Sequence, residues 1–300
     1  MRVLITGDWH LTDNRPENRT DDYEKTVLRK LDFLLQKAVE NKVEMILHPG
    51  DIFDSPKPSY YFFTKVMKRI KRIHPIWFAC CYGQHDLRYR NKDDTALKAL
   101  ALACSGNIVL DLNDHNFISK IGIYSAGYGE EVPDFMKAYG WFKILLTHRM
   151  IVYDKLWKSQ ESFEYCNTFL RKNKFDLIVS GDNHNSFRYV LGNRSLFNCG
   201  SMMRSTIAQV HHKPIFYIMD TSKGMISLEQ YYIPIEYAED VFRMNKIEQE
   251  KDRNNQLDAF VSGLSEHKEM GMSFGDNMES YMNKNKIEPS IRQIIMEGIK

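Results

Sequence analysis

The chain has 300 residues, 43% of them hydrophobic and 12% aromatic, which is typical of a folded globular protein and excludes a disordered one. A formal net charge of +2 gives no strongly basic surface, so it neither supports nor excludes nucleic acid as a partner. The five cysteines form no C-x-x-C pair, the N-terminal residues do not resemble a signal peptide, and no run of about 18 apolar residues occurs, so we expect reduced thiols and a cytoplasmic protein with no membrane partner.

Short apolar runs alternate with amphipathic segments over the first 180 residues or so. The pattern predicts strands at residues 2–6, 45–47, 76–82, 142–146 and 177–180, and helices at 22–41, 60–73, 94–104 and 161–172. Four further strands, at 187–191, 195–198, 214–220 and 226–235, are joined by tight turns. This order predicts an α/β region followed by mostly antiparallel strands, within one domain that covers residues 1–235.

Residues 236–300 carry no strand signals, are rich in polar residues and are predicted to be a helical tail. Pro289 is placed at the first turn of a short helix with one apolar stripe, formed by Ile291, Ile294, Ile295 and Ile299. Two interpretations stay open at this point. The tail packs on its own domain, or it docks a partner.

Polar residues directly follow five of the predicted strands. The segments are Gly7-Asp8-Trp9-His10, Gly50-Asp51-Ile52-Phe53-Asp54, Gly83-Gln84-His85-Asp86, Thr147-His148 and Gly181-Asp182-Asn183-His184. A single segment of this kind is usually a turn, and we expect the glycines to let the backbone turn sharply. Ligands of open α/β sheets bind beyond the carboxyl ends of the strands, so five such segments together indicate a site.

The five segments offer carboxylates, imidazoles and one side-chain amide, without a thiolate. Mixed nitrogen and oxygen ligands suit Mn²⁺, Fe²⁺ or Zn²⁺ better than Ca²⁺. Their number exceeds the needs of one ion. It fits two ions that share a bridging carboxylate, an arrangement used to hydrolyse phosphate esters.

The ordered series of motifs from Asp8 to His184 resembles the calcineurin-like metallophosphoesterases, and within them the SbcD-type DNA exonuclease subunits of bacteria and phages. The likeness to that branch lies in GDWHL at residues 7–11, GDIFD at 50–54 and FNCGSMMRSTIAQVHHKPIFYIMDT at 197–221. It implies an α/β (α+β) fold, a two-layer β-sandwich flanked by helices, here with a C-terminal helical tail. No part of the tail resembles a family we can place.

The resemblance also implies roles for individual residues. One ion would be held by Asp8, His10, Asp51 and His184, and the other by Asp51, Gln84, His148 and Asp182, with Asp51 bridging. His85 would be catalytic without holding metal, either stabilising the transition state or protonating the leaving oxygen. Asp54 and Asp86 would orient histidines or cap turns. Gln84 and Asp182 depart from the family, which has Asn and His at these positions.

The resemblance therefore implies a DNA nuclease subunit with two divalent ions, Mn²⁺ before Mg²⁺ or Fe²⁺. Its partners would be DNA and an SbcC-type ATPase in recombination or DNA-end processing, and a homodimer is compatible with the sequence. One alternative is a phosphoesterase acting on nucleotides or phosphoproteins, because fold and site do not determine substrate. The other is a catalytically weak subunit that docks DNA ends or the ATPase, an alternative that the two departures keep open.

Overall fold

The computed structural model describes residues 1–110, 117–118, 121–134, 142–157, 160–221, 227–244, 278–279, 282–283 and 286–297. Contacts divide the chain into two compact units, Met1–Val241 and Phe242–Lys300. The boundary at residue 235, between the predicted domain and its helical tail, stays a prediction.

The first sheet has four parallel strands, extended at one edge by an antiparallel hairpin. Its strands are β1 Arg2–Ile5, β2 Met45–His48, β3 Trp77–Cys80, β4 Ile108–Leu110, β13 Ile215–Asp220 and β14 Ser227–Tyr232. Their order across the sheet is β14-β13-β1-β2-β3-β4.

The second sheet is also mixed. Its strands are β5 Phe117–Ile118, β6 Ile121–Ala126, β7 Phe142–His148, β10 Leu177–Gly181, β11 Phe187–Leu191 and β12 Arg194–Asn198. Their order across the sheet is β11-β12-β10-β7-β6-β5. A separate parallel pair joins β8 Ile151–Val152 to β9 Glu164–Tyr165. The antiparallel strands predicted after residue 185 therefore do not form a sheet of their own, because one hairpin extends each sheet.

The two sheets pack face to face, which confirms the predicted two-layer sandwich. Alternation along β1 shows how this packing arises, since Val3 and Ile5 face the second sheet while Leu4 faces the outer helices. Each of these side chains is fully buried. Burial of one such aliphatic side chain contributes about 1.5–3 kcal/mol.

Helices cover the outer faces of the sandwich. They are α1 Tyr23–Glu40, α2 Tyr60–Arg72, α3 Ala96–Ala103 and α4 Cys166–Lys172. A short helix, α5, follows at Ala238–Val241. The side chains of Asp22 and Ser59 cap α1 and α2 by accepting from backbone N–H groups. The predicted start of α4 at residue 161 was wrong, because Glu164 and Tyr165 pair with β8 first.

The tail contains α6, Pro289–Glu297, which confirms the short helix with proline at its first turn. Ile291 is 1% exposed, and Ile295 packs against Met278 and Met282. Part of the predicted stripe is therefore already covered, while Ile299 and the Ile294 side chain lie outside the described residues. Among the helices that the structure describes, none is long and apolar enough to cross a membrane.

One lysine of α1 has a buried side chain. Lys30 is 2% exposed, and its Nζ lies 3.4 Å from the carbonyl oxygen of Met202. Burial, and then the guanidinium groups of Arg204 and Arg19, lowers the pKa of Lys30 to about 7. The Lys30 amine binds a proton more tightly in the unfolded chain than in the folded protein. Lys30 therefore destabilises the fold fully below the folded-state pKa of about 7. This destabilisation disappears as the pH rises towards 10.5, the ordinary pKa of a lysine.

We expect Lys30→Met to stabilise the protein below about pH 7, since each pKa unit corresponds to about 1.4 kcal/mol. The shift of the Lys30 pKa from 10.5 to about 7 sets an upper limit of about 5 kcal/mol on the gain in the free energy of unfolding, and the gain should shrink to nothing near pH 10. Denaturant unfolding across this pH range measures it, with Lys25→Met, an exposed lysine of the same helix, as the control. An equal loss of stability at every pH would instead assign Lys30 a packing role.

Candidate metal centre

The five polar segments meet at one end of the sandwich, beyond the carboxyl ends of β1, β2, β3, β7 and β10. β1, β2 and β3 are neighbours in the first sheet, and β7 and β10 are neighbours in the second. Side chains from the two sheets come into contact there, since Nε2 of His10 lies 3.0 Å from Nε2 of His184.

Sharp turns at this end are made by the predicted ligands themselves. His10, Asp51 and Asp182 have φ values of 44°, 55° and 77°, in the left-handed region. Such conformations cost about 1–3 kcal/mol each and cluster at functional sites.

We expected the glycines before these residues to let the backbone turn sharply. Gly83 and Gly181 instead serve mainly to leave room for neighbouring side chains. A Cβ on Gly83 would lie 2.0 Å from Oδ1 of Asp51, and one on Gly181 would lie 2.4 Å from Oδ1 of Asp8. Only Gly50, with φ 106°, combines close approach with the left-handed conformation that we expected of these glycines.

Asp8, His10 and His184 form one group that could hold a cation, because one ligand atom of each lies within 4.8 Å of the others. Oδ2 of Asp8 accepts from the backbone N–H of Asp182 at 2.9 Å and lies 3.8 Å from Nε2 of His184. Of the two Nε2 atoms that are 3.0 Å apart, one must carry the shared proton. A cation between them would replace that proton.

Asp51 lies between this first group and a second set of side chains. Its Oδ2 is 3.7 Å from Nε2 of His10 and 3.3 Å from Nε2 of His148. His148 is fully buried, and its Nδ1 lies 2.9 Å from the carbonyl oxygen of Pro49. If Nδ1 donates to that carbonyl, the lone pair of Nε2 is left for a cation.

The remaining predicted site residues are at the rim. His10, Asp51 and His85 form a second group with ligand atoms within 4.8 Å, so His85 is near enough to a cation to be a ligand. Asp182 is half-buried, and its backbone is bonded to Asp8. The Gln84 side chain is exposed.

Several buried side-chain atoms have no hydrogen-bond partner in the described part of the chain. Among them are Oδ1 of Asp8, Oδ2 of Asp51 and Nε2 of His148. Leaving such an atom unsatisfied costs about 1–3 kcal/mol, and more when it is charged. These three atoms belong to residues predicted as ligands, so the donor set fits divalent ions.

The electrostatics of these groups point the same way. Burial, together with the Asp51 carboxylate, raises the pKa of Asp8 to about 7. Burial also acts against ionisation of Asp51, but His148 and His10 outweigh it and lower the pKa of Asp51 to about 2. Burial and the nearby His10 lower the pKa of His184 to about 4, which keeps this imidazole neutral, the form that binds metal.

Asp86 holds the loop that carries Asp51. Its buried carboxylate accepts from the backbone N–H groups of Asp51 (2.8 Å), Gly83 (3.1 Å), Ile52 (3.3 Å) and Phe53 (3.2 Å). Asp54 orients histidines as expected. Its Oδ1 lies 3.3 Å from Nδ1 of His10, and its carbonyl oxygen lies 3.0 Å from Nδ1 of His85.

Gln209 supports the centre but was missed in the sequence. Its Nε2 lies 3.3 Å from Nδ1 of His184 and donates to the Ser201 hydroxyl at 2.9 Å. The only signal for it was its place inside the segment at 197–221, which resembles SbcD-type nucleases, because nothing in its spacing points to the metal motifs.

Comparisons with known proteins agree with this geometry. A family model described as calcineurin-like phosphoesterase matches residues 1–186. The DNA double-strand break repair protein Mre11 of Methanosarcina acetivorans is 24% identical over 315 residues, which cover 96% of this chain and 48% of that protein. Mre11 of Sulfolobus acidocaldarius is 30% identical over 95 residues, which cover 31% of this chain and 24% of that protein. The chain thus spans about half the length, or less, of the curated relatives it matches.

A solved structure shares the fold. A dimetal phosphatase from Danio rerio superposes with a TM-score of 0.51 at 9% identity, covering 79% of this chain and 99% of that one. The chain belongs to the calcineurin-like phosphoesterase family, whose members are hydrolases that bind two divalent metal ions. Its likeness to the Mre11 proteins confirms the expected resemblance to SbcD-type nucleases.

We expect Asp86→Asn to weaken metal binding and to lower the free energy of unfolding by about 2 kcal/mol or more, because an amide NH₂ would face backbone N–H groups that now have an acceptor. Denaturant unfolding in EDTA and calorimetric titration with Mn²⁺ measure the two effects. Asp93→Asn, an exposed carboxylate in the loop that follows, is the control. Wild-type behaviour of Asp86→Asn in both measurements would show that Asp86 does not position Asp51.

Proposed function

We propose that this protein is a metal-dependent DNA nuclease subunit that hydrolyses phosphodiester bonds, with Mn²⁺ as its preferred ion. The observation that carries the proposal is the alignment with a DNA double-strand break repair protein over 96% of the chain. That alignment extends well past residue 186, where the match to the general phosphoesterase family ends. The metal centre supports hydrolysis of a phosphate ester, and the relative supports DNA as the substrate.

In this proposal, Asp8, His10 and His184 would hold one ion, while Asp51, His148, Asp182 and Gln84 would hold the other. Two divalent ions supply Lewis acidity, which activates water and neutralises charge on the phosphate oxygens. Asp51 is placed to serve both ions, because its Oδ2 faces both His10 and His148. Gln84 would take part from an exposed position at the rim.

His85 is the residue that we propose for proton transfer. With Nδ1 donating to the carbonyl of Asp54, its Nε2 is left to carry or accept a proton. The side chain is 39% exposed at the rim, where a leaving oxygen can reach it, whereas His148 is fully enclosed. Its ring centroid is 4.8 Å from that of His10, which keeps it close to the reacting phosphate.

We further propose that the subunit works with an SbcC-type ATPase in recombination or DNA-end processing. The tail at residues 236–300 is the proposed docking segment. Because Ile291 is already buried, docking through the apolar stripe would require this helix to exchange its present contacts for contacts with the partner.

An assay on end-labelled linear DNA with added Mn²⁺ tests the proposed function. We expect stepwise degradation from the ends, abolished by EDTA and by His148→Ala, because His148 Nε2 is one of the orphaned ligand atoms. A phosphomonoester and bis(p-nitrophenyl) phosphate are assayed in parallel.

The outcomes separate the three candidate functions. Rapid hydrolysis of the phosphomonoester with intact DNA would contradict the nuclease proposal and favour a phosphatase. Tight binding of DNA ends with no hydrolysis of any of the substrates would favour a docking subunit.

We expect His85→Ala to lower kcat by about 10²-fold or more, in the range of general acid catalysis, while both ions stay bound. Metal content by mass spectrometry, measured beside the rate, distinguishes this role from that of a ligand. His74→Ala, an exposed histidine outside the metal motifs, is the control. Loss of one equivalent of metal from His85→Ala would make His85 a ligand instead.

A further inference from the structure

A cavity of about 470 Å³ opens at the same end of the sandwich as the metal centre. We call it the edge cavity. The residues that line it include Asn185, Phe187, His211, Lys213, Tyr217 and Tyr232. Its volume lies within the range of small-molecule sites in proteins, roughly 300–1,000 Å³.

The edge cavity exists because two edge strands face each other across the sandwich. Within the residues that the structure describes, β11 is the last strand of the second sheet and β14 is the last strand of the first. The ring of Phe197 contacts that of Tyr217 at a centroid distance of 4.9 Å, where the core between the sheets ends. Tyr232 lies opposite Ile215 in the hairpin and is 59% exposed.

The wall of the edge cavity is tied to the metal centre. Asn185 directly follows His184, and the ring of His212 is 2.7 Å from the carbonyl oxygen of Ser201. The hydroxyl of Ser201 accepts from Gln209, whose amide nitrogen is 3.3 Å from His184. A molecule in the cavity would therefore lie beside a side chain of the metal centre.

The chemistry of the lining suits an anion attached to a flat ring. Lys213 and His211 are exposed and can contact a phosphate, and the described lining residues include no carboxylate to repel one. Tyr232 offers an exposed aromatic face, and Asn185 offers an amide that can both donate and accept. Single-stranded nucleic acids are bound by this combination of cations along the backbone and aromatic rings beneath the bases.

We propose that the edge cavity binds one nucleotide unit of the substrate strand, next to the phosphodiester that is hydrolysed. Lys213 and His211 contact its phosphate, and Tyr232 stacks on its base. The identification of the ligand as a nucleotide rests on the nuclease function proposed above. The location of the edge cavity and the charge of its lining do not depend on that proposed function.

Binding without metal tests the site apart from catalysis. Deoxyadenosine monophosphate and inorganic phosphate are titrated separately into the full-length protein in EDTA, and binding is measured by calorimetry. We expect Tyr232→Ala and Lys213→Met each to weaken binding of the nucleotide roughly tenfold or more. Tyr232→Phe keeps the ring and should bind nearly as tightly as the wild type.

Inorganic phosphate separates the two contacts, because it should respond to Lys213→Met and not to Tyr232→Ala. Tyr237→Ala is the matched control, since Tyr237 is 76% exposed and does not line the cavity. Equal nucleotide affinity in all variants would place the nucleotide elsewhere and overturn the proposal. No saturable binding to the wild type at millimolar nucleotide would overturn it as well.

A second measurement separates failure of the site from failure of the nuclease proposal. With Mn²⁺ present, the KM for a short single-stranded oligonucleotide should rise about tenfold in both cavity variants, while their metal content equals that of the wild type. If the wild type does not cleave the oligonucleotide, the nuclease function is wrong, and the titration in EDTA still decides whether the cavity binds nucleotides. Cleavage with an unchanged KM in the variants would contradict the cavity alone.

Discussion

The metal centre depends on one buried carboxylate that we do not expect to touch metal. Asp86 accepts four backbone N–H groups, three from the loop after β2 and one from Gly83 after β3. These bonds hold the loop in a conformation in which Asp51 takes a left-handed backbone. Because Asp51 lies between groups from both sheets, its position decides whether one end of the sandwich becomes a shared site.

The fold brings carboxylate and imidazole groups together at one end of the sandwich. The ion pairs and hydrogen bonds among these groups do not satisfy all of their polar atoms. Burial raises the pKa of Asp8, while the Asp51 carboxylate outweighs the burial of His148 and raises the pKa of that histidine to about 10. Oδ1 of Asp8, Oδ2 of Asp51 and Nε2 of His148 still lack a hydrogen-bond partner in the described residues. Divalent cations relieve both the repulsion between carboxylates and the missing contacts, so binding of metal and stability of this end of the fold are coupled.

Much of the architecture was predictable because strands and helices leave periodic patterns. The strand ends at Asp8, Asp51 and Asp182 were identified by the same polar interruption after an apolar run. The start of α4 was not predictable, since residues 164–165 pair with β8, a partner more than ten residues earlier. Gln209 was missed for a similar reason, because its contact with His184 spans 25 positions and follows no local spacing.

The sequence by itself determined the order of the strand-end ligands and the family, because motif spacing and hydrophobic periodicity are local properties. Only the tertiary structure decided that Gly83 and Gly181 are needed for space around Asp51 and Asp8, that Asp86 binds a loop more than 30 residues away, and that Gln84 is exposed. It alone also brought the edge strands β11 and β14 together around a cavity. The physical reason is that close approach and burial depend on contacts between distant segments, which are set only when the two sheets pack.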